Sequence, residues 1–178
     1  LSIRGSLIDL SELKIKEWSD NDHSLTLQGG NGGANINGSN VAENIYGGSG
    51  ADDLSGNGGR DALRSSAGLD VQFGGLGGDT FVVNDLAHVQ SGEIYDGNEG
   101  RDTLDLLVQP TGGYDFTGVT VRSIEVLVLN GGQTVVMDAG AFGTGFGIDT
   151  IFGNEGEVDT LQISGSSIDI SDIQFRFW

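Results

Sequence analysis

Residues 29–82 read GGNGGANIN GSNVAENIY GGSGADDLS GNGGRDALR SSAGLDVQF GGLGGDTFV, six consecutive nonapeptides with no insertion. The first position is glycine in every unit but one, where Ser65 stands. The sixth is acidic (Glu43, Asp52, Asp61, Asp70 and Asp79) except at Ala34. The eighth is a large apolar residue (Ile36, Ile45, Leu54, Leu63 and Phe81) except at Gln72. Three periodicities share one register, which a flexible glycine-rich linker has no physical reason to keep.

Each position has a mechanical reading. Glycine reaches positive φ, so the first half of a unit can turn tightly with its carbonyls pointing inward. The last three residues make a short strand whose alternation sends the eighth side chain inward and its neighbours out. Two units then form a coil of 18 residues with a turn on each side, and stacked coils pair as parallel strands over a thin apolar seam. Gln72 is the defect in that seam, and flanking Val71 and Phe73 predict a local twist or register adjustment.

Turns on one side lie 18 residues apart, which aligns Asp52 with Asp70, Asp61 with Asp79 and Glu43 with Asp61. Two carboxylates about 4 Å apart repel by roughly 1 kcal/mol in water and about 4 kcal/mol at an effective dielectric near 20. A hard divalent cation reverses that sign. Calcium takes about six to eight oxygens, and two such turns offer carbonyls as well as two carboxylates; magnesium demands a tighter octahedron.

These 54 residues of the 178 resemble the RTX (hemolysin-type) repeat, G-G-x-G-x-D-x-U-x, a calcium-binding parallel β-roll. The resemblance implies several Ca2+ ions, each between turns 18 residues apart. The earlier turn would give its second and fourth carbonyls, the later its first and third, and both their sixth-position carboxylates. One site would use Gly48, Gly50 and Asp52 with Ser65, Ala67 and Asp70. A second would use Asn57, Gly59 and Asp61 with Gly74, Leu76 and Asp79. A third would use Ser39, Val41 and Glu43 with Gly56, Gly58 and Asp61, with Glu43 longer than the usual aspartate. Ala34 removes a carboxylate from the site it would share with Asp52.

Composition agrees with a cation partner. The formal charge is −18, from 26 acidic and 8 basic residues, which disfavours nucleic acid and anionic membranes and attracts divalent cations. Cysteine is absent, so neither a disulfide framework nor a thiolate metal site is available. Apolar residues make up 37% and are spread along the chain, as an elongated fold with a thin core requires. No apolar run is long enough to span a membrane, and no signal-peptide pattern opens the sequence.

Three regions are expected: an N-terminal β cap or linker (1–28), the β-roll (29–82) and a C-terminal β-rich region (83–178). In the last, GNEGRDTL at 97–104 and GNEGEVDTL at 153–161 repeat the turn vocabulary. Without a partner at 18 residues, calcium at Asp102 or Asp159 stands level with plain turn chemistry. The runs 124–129, 134–137 and 148–152 read as strands, and no stretch has sustained helical periodicity. An all-β chain follows: a parallel β-roll stacked with a further β-solenoid or a small β-sandwich.

A longer repeat joins the two ends. LSIRGSLIDLSELKIKEW at 1–18 aligns without a gap to LQISGSSIDISDIQFRFW at 161–178, with eight identities that include Trp18 and Trp178. The reading is one 160-residue period of a tandem array plus the start of the next, against equivalent caps of one domain. The tryptophans are expected to pack in a core or between modules, and His23 and His88 to be solvated.

No H-E-x-x-H, P-loop or G-x-S-x-G motif is present, and no enzyme activity is expected. The expected function is a calcium-binding module that folds outside the cell. It would belong to a large secreted or surface repeat protein of the adhesin, surface-layer or matrix type, exported by type I secretion as the resemblance implies. The alternative is an accessory module of an extracellular protease, lipase or alginate epimerase whose catalytic domain lies outside this chain. Expected partners are calcium, with either neighbouring modules of the same protein or a cell-surface polysaccharide; an anionic one would need Arg101 and Arg122 to join Arg60 and Arg64 in a basic face.

Overall fold

The structure is a computed structural model that describes residues 1–19, 23–64, 66–107, 113–143, 145, 147–154 and 157–176. The chain climbs through short strands: β1 (Ser2–Arg4), β2 (Leu7–Asp9), β3 (Leu25–Gln28), β4 (Asn35–Asn37), β5 (Glu43–Tyr46), β6 (Asp53–Gly58), β7 (Ala62–Arg64), β8 (Val71–Gly77) and β9 (Thr80–Val83). It continues through β10 (Ile94–Gly100), β11 (Thr103–Leu106), β12 (Tyr114–Asp115), β13 (Thr120–Arg122), β14 (Val126–Leu129), β15 (Thr134–Asp138), β16 (Thr150–Phe152), β17 (Thr160–Ser164) and β18 (Gln174–Arg176). Among the described residues every strand pairing is parallel.

The strands form one nine-stranded sheet (β1-β3-β5-β7-β9-β11-β14-β16-β18), one six-stranded sheet (β2-β4-β6-β8-β10-β13) and one three-stranded sheet (β12-β15-β17). Successive strands of the roll alternate between the first two sheets, so each pair of nonads is one coil. The register is the one the nonads demand: Thr26 faces Asn44, Asn44 faces Ala62 and Ala62 faces Thr80, each 18 residues on. Eighth-position Ile36, Ile45, Leu54, Leu63 and Phe81 are fully buried between the sheets. Burying such a side chain is worth about 1.5–3 kcal/mol, which offsets the entropy of ordering a glycine-rich coil.

Gln72 does not disturb this register. It stacks between Leu54 and Tyr95 in an unbroken run of pairs and is itself buried. The expected adjustment is absent because parallel pairing on both sides holds the backbone, whatever the side chain.

After β9 the coil grows. A short 3-10 turn (Leu86–His88) enters, and Thr80 now faces Thr103, then Thr103 faces Val126, both at 23 residues; Val126 faces Thr150 at 24. A third sheet opens a wider interior, filled by aromatics: Phe81 meets Tyr95 edge-on at 6.0 Å and Tyr95 meets Phe116 at 6.3 Å. The expected strands at 124–129, 134–137 and 148–152 correspond to β14, β15 and β16. The described residues of 83–176 therefore continue the solenoid, with no sandwich among them, and one hydrophobic cluster runs from Ile8 to Ile151.

Candidate metal centre

The sixth-position acids form two columns along the edges of the stack. In one, the N–H of Glu43 donates to Asp61 Oδ1 (2.7 Å), that of Asp61 to Asp79 Oδ1 (2.8 Å), that of Asp79 to Asp102 Oδ1 (2.7 Å) and that of Asp102 to Glu125 Oε2 (2.8 Å). In the other, Ala34 N–H donates to Asp52 Oδ1 (2.8 Å) and Asp52 N–H to Asp70 Oδ1 (2.9 Å). Glu93 follows Asp70 there, because Val71 pairs with Ile94. Asp52, Asp61, Asp79, Asp102 and Glu93 are all at least 98% buried.

In Asp52, Asp61, Asp79 and Asp102 only one carboxylate oxygen is served. Oδ2 of Asp52, Asp61, Asp79 and Asp102, and Oε1 of Glu93, are buried without a hydrogen-bond donor. A buried acceptor in that state costs about 1–3 kcal/mol, more when charged. Burial, reinforced by neighbouring acids, pushes the carboxyls of Asp52 and Asp102 up to about 6 and Asp61 up to about 9. Burial pushes Glu93 up to about 7, and also raises Asp79 and Glu43.

The glycines explain where those oxygens sit. A Cβ on first-position Gly47, Gly56, Gly74 or Gly97 would strike Oδ2 of Asp52, Asp61, Asp79 or Asp102 in its own turn. The first position is glycine to leave room for a carboxylate. Positive φ belongs instead to the second and fourth positions: Gly48 (97°), Gly50 (104°), Asn57 (65°), Gly59 (127°), Gly75 (112°) and Gly77 (136°). There, the carbonyl of the coil below fills the space a side chain would take: Asn57 O lies against Gly75, and Gly59 O against Gly77.

The candidate sites are therefore unequal. Asn57, Gly59 and Asp61 face Gly74, Leu76 and Asp79 in the expected register, with both turns in the left-handed form. The Leu76 carbonyl accepts from Gly59 N–H at 2.9 Å, which leaves its second lone pair. Gly48, Gly50 and Asp52 stack likewise below Ala67 and Asp70, where Ala67 O accepts from Gly50 N–H at 2.9 Å; Ser65 lies outside the described residues. The third set fits less well. Ser39 and Val41 are not left-handed, and both Glu43 carboxylate oxygens are engaged by Ser39 in their own turn, through its N–H (3.1 and 3.2 Å) and its hydroxyl. Gly56 and Gly58 belong to the coil above, where Gly58 N–H donates to Ser39 O at 3.1 Å.

Asp102 is not an isolated turn residue. GNEGRD at 97–102 restates GNGGRD at 56–61, and Asn98 takes the φ of Asn57, 65°. The turn stacks on the one before it, Asn98 on Gly75 and Gly100 on Gly77. Its partner Asp79 lies 23 residues back rather than 18, so a strict nonad search passes over it. The shared G-N-x-G-R-D string is the signal that finds it. Asp159 differs: its Oδ1 accepts from Gln133 N–H (2.9 Å) and its Oδ2 from Asn154 N–H (3.3 Å), which is turn chemistry, while Glu155 and Gly156 lie outside the described residues.

Other expected residues resolve as follows. His23 is exposed and stacks on Trp18 at 5.0 Å, and Trp18 packs against the core; Trp178 lies outside the described residues. His88 is only partly solvated. It is half-buried, with Nδ1 unpartnered and its pKa lowered by burial, because the inserted turn folds it over the column that ends in Glu93. Arg101 and Arg122, which a basic face would need, are paired with Asp149 and Asp96, each at 2.8 Å.

Among the described residues no group of three or more His, Cys, Asp or Glu side chains is gathered as a metal site. Each pair of stacked turns instead brings two carboxylates together with backbone carbonyls. No protein-family model matches the chain, and neither curated proteins nor solved structures give a match.

Proposed function

We propose that this chain is a calcium-binding module of the RTX kind, part of a secreted or cell-surface repeat protein, which folds when calcium binds outside the cell. The observation that carries this reading is the row Asp52, Asp61, Asp79 and Asp102, each buried with one oxygen held by the coil below and the other without a donor. Calcium, when bound, supplies positive charge and accepts oxygens from both turns. The chain's part is to hold carboxylates and carbonyls together at positions where water is excluded.

Three turn pairs have the donor set: Asp52 with Asp70, Asp61 with Asp79, and Asp79 with Asp102. In the third, Gly75, Gly77 and Asp79 would act with Gly97, Glu99 and Asp102, by the same pattern as the second. Folding and binding are then one equilibrium. Without cation the columns repel and expose their acids; a cation bound only by the stacked form shifts the balance by mass action. The paired Arg101 and Arg122 argue against the reading as a polyanion-binding accessory module.

The test is circular dichroism and size-exclusion chromatography of the chain in EDTA, then with excess calcium, with magnesium for comparison. Parallel-β signal and compaction are expected with calcium, and less with magnesium. A compact β fold in EDTA, with no heat on calcium titration, would sink the proposal.

A further inference from the structure

The two ends of the solenoid carry related 18-residue sequences with eight identities, and two local turn contacts recur in both copies. Ser11 N–H donates to Asp9 Oδ1 at 3.1 Å, and Ser171 N–H to Asp169 Oδ1 at 3.0 Å. Leu13 N–H donates to Leu10 O at 2.9 Å, and Ile173 N–H to Ile170 O at 3.1 Å. Their apolar residues, however, are buried in complementary sets. Ile8 is 5% exposed while its equivalent Ile168 is 48% exposed; Leu10 packs on the core while Ile170 is 41% exposed. In the other direction, Leu161 and Ile173 pack on the core, while their equivalents Leu1 and Leu13 are 79% and 48% exposed.

The segment thus has two apolar faces. One (Ile8, Leu10) packs on the coil that follows it; the other (Leu161, Ile173) packs on the coil that precedes it. Its backbone divides the same way. Gln174–Arg176 pairs with β16 before it, while the corresponding Ile15 is tied forward, its N–H donating to Asn40 Oδ1 at 2.9 Å. At each end of the chain only one face is covered.

We propose that residues 1–18 and 161–178 are copies of one junction segment, that the apolar row left open on 161–178 receives the coil beginning at residue 19 of a further copy, and that the row left open on 1–18 receives a coil ending at residue 160 of another. Successive copies then stack coaxially, head to tail, into one continuous solenoid. Such a contact is heterologous and does not close, so it makes a linear assembly. The occupant is fixed by the exchange of exposure: the coil that covers Ile8 and Leu10 in this chain is the coil that fits over Ile168 and Ile170. The inference rests on the terminal repeat alone and is independent of calcium.

The test joins residues 1–178 directly to a second copy of residues 19–178 and compares this two-period chain with the 178-residue chain, in buffer where the latter is folded. The double substitution Ile168→Asp and Ile170→Asp is made in both. In the 178-residue chain, where these residues are exposed, the Tm is expected to move by less than about 2 °C, which also shows that the variant folds. In the two-period chain, a single unfolding transition should split in two, and small-angle scattering should change from a straight rod of doubled length to two jointed bodies. An equal effect in both chains, or a jointed shape before substitution, overturns the proposal.

Discussion

The N–H of Asp61 donates to Oδ1 of Asp79, 18 residues further on, at 2.8 Å, and Asp61 Oδ1 in turn receives Glu43 N–H at 2.7 Å. Asp61 is therefore a link between three coils, and its other oxygen is buried with no donor. Two substitutions separate its jobs. Asp61→Asn keeps an acceptor for Glu43 N–H and removes the charge, so it should lower calcium affinity at least about tenfold, a difference of about 1.4 kcal/mol, and ease compaction in EDTA. Asp61→Ala should lose affinity and a further 1–3 kcal/mol or so, because a buried N–H is left unserved. Calorimetric calcium titration and urea melts read both; unchanged affinity in both variants refutes the shared role.

Asp102 and Asp159 provide a second comparison. Both end a glycine-asparagine turn, yet Asp102 has an oxygen without a donor and Asp159 has both oxygens engaged. Asp102→Asn should remove about one calcium ion from the stoichiometry or weaken one class of site, whereas Asp159→Asn should leave binding unchanged. Equal effects would show that the column does not extend past Asp79.

Two glycines with different surroundings test the turn argument. At Gly56, a methyl group would meet both the Asp61 carboxylate and the Gly74 carbonyl, so Gly56→Ala should cost about 1–3 kcal/mol and weaken binding. At Gly32 there is nothing within 4 Å of a Cβ, and φ is not left-handed; Gly32→Ala should be neutral, or stabilise by about 0.4–1 kcal/mol through the unfolded chain. Thermal melts in excess calcium decide, and a larger loss at Gly32 than at Gly56 would contradict the packing.

In EDTA, pH should act opposite to the usual acid denaturation. Folded Asp52 and Asp102 titrate at about 6, Glu93 at about 7 and Asp61 at about 9, above their unfolded values near 4. The folded state binds more protons between those limits, so stability falls as pH rises from about 4 toward 9. His88 opposes this below about 6.5, because its folded pKa is lowered and charging it favours unfolding, but it is one group against several. Compaction without calcium is expected near pH 4 and its loss by pH 8. Dichroism across that range checks the sign, and stability that rises with pH overturns it.

How much of this was readable in advance differs along the chain. In 29–82 each position has a single job and the coil length is constant, so glycine, acid and apolar residue recur in step and the register follows. Beyond β9 the three faces need not be equal in length, and inward residues such as Tyr95, Phe116 and Met137 fall at no fixed interval. The 3-10 turn at Leu86–His88 adds residues to one coil, which hid the continuation to Asp102 and left His88 half-buried. Even within the nonads, first-position glycine was assigned to φ, whereas Gly56 is required by the space its own Asp61 occupies. A sequence pattern records that a small residue is needed, not which neighbour excludes a larger one.

The hydrogen bonds of each column all point the same way: the main-chain donor belongs to the earlier coil and the carboxylate to the later one. This gives the stack a polarity that parallel strands alone do not impose. Trimming coils from the C-terminal side would leave main-chain N–H groups facing water at the new end, while trimming from the N-terminal side would leave carboxylates there that can ionise. A cut through the stack thus exposes donors on one face and acidic acceptors on the other.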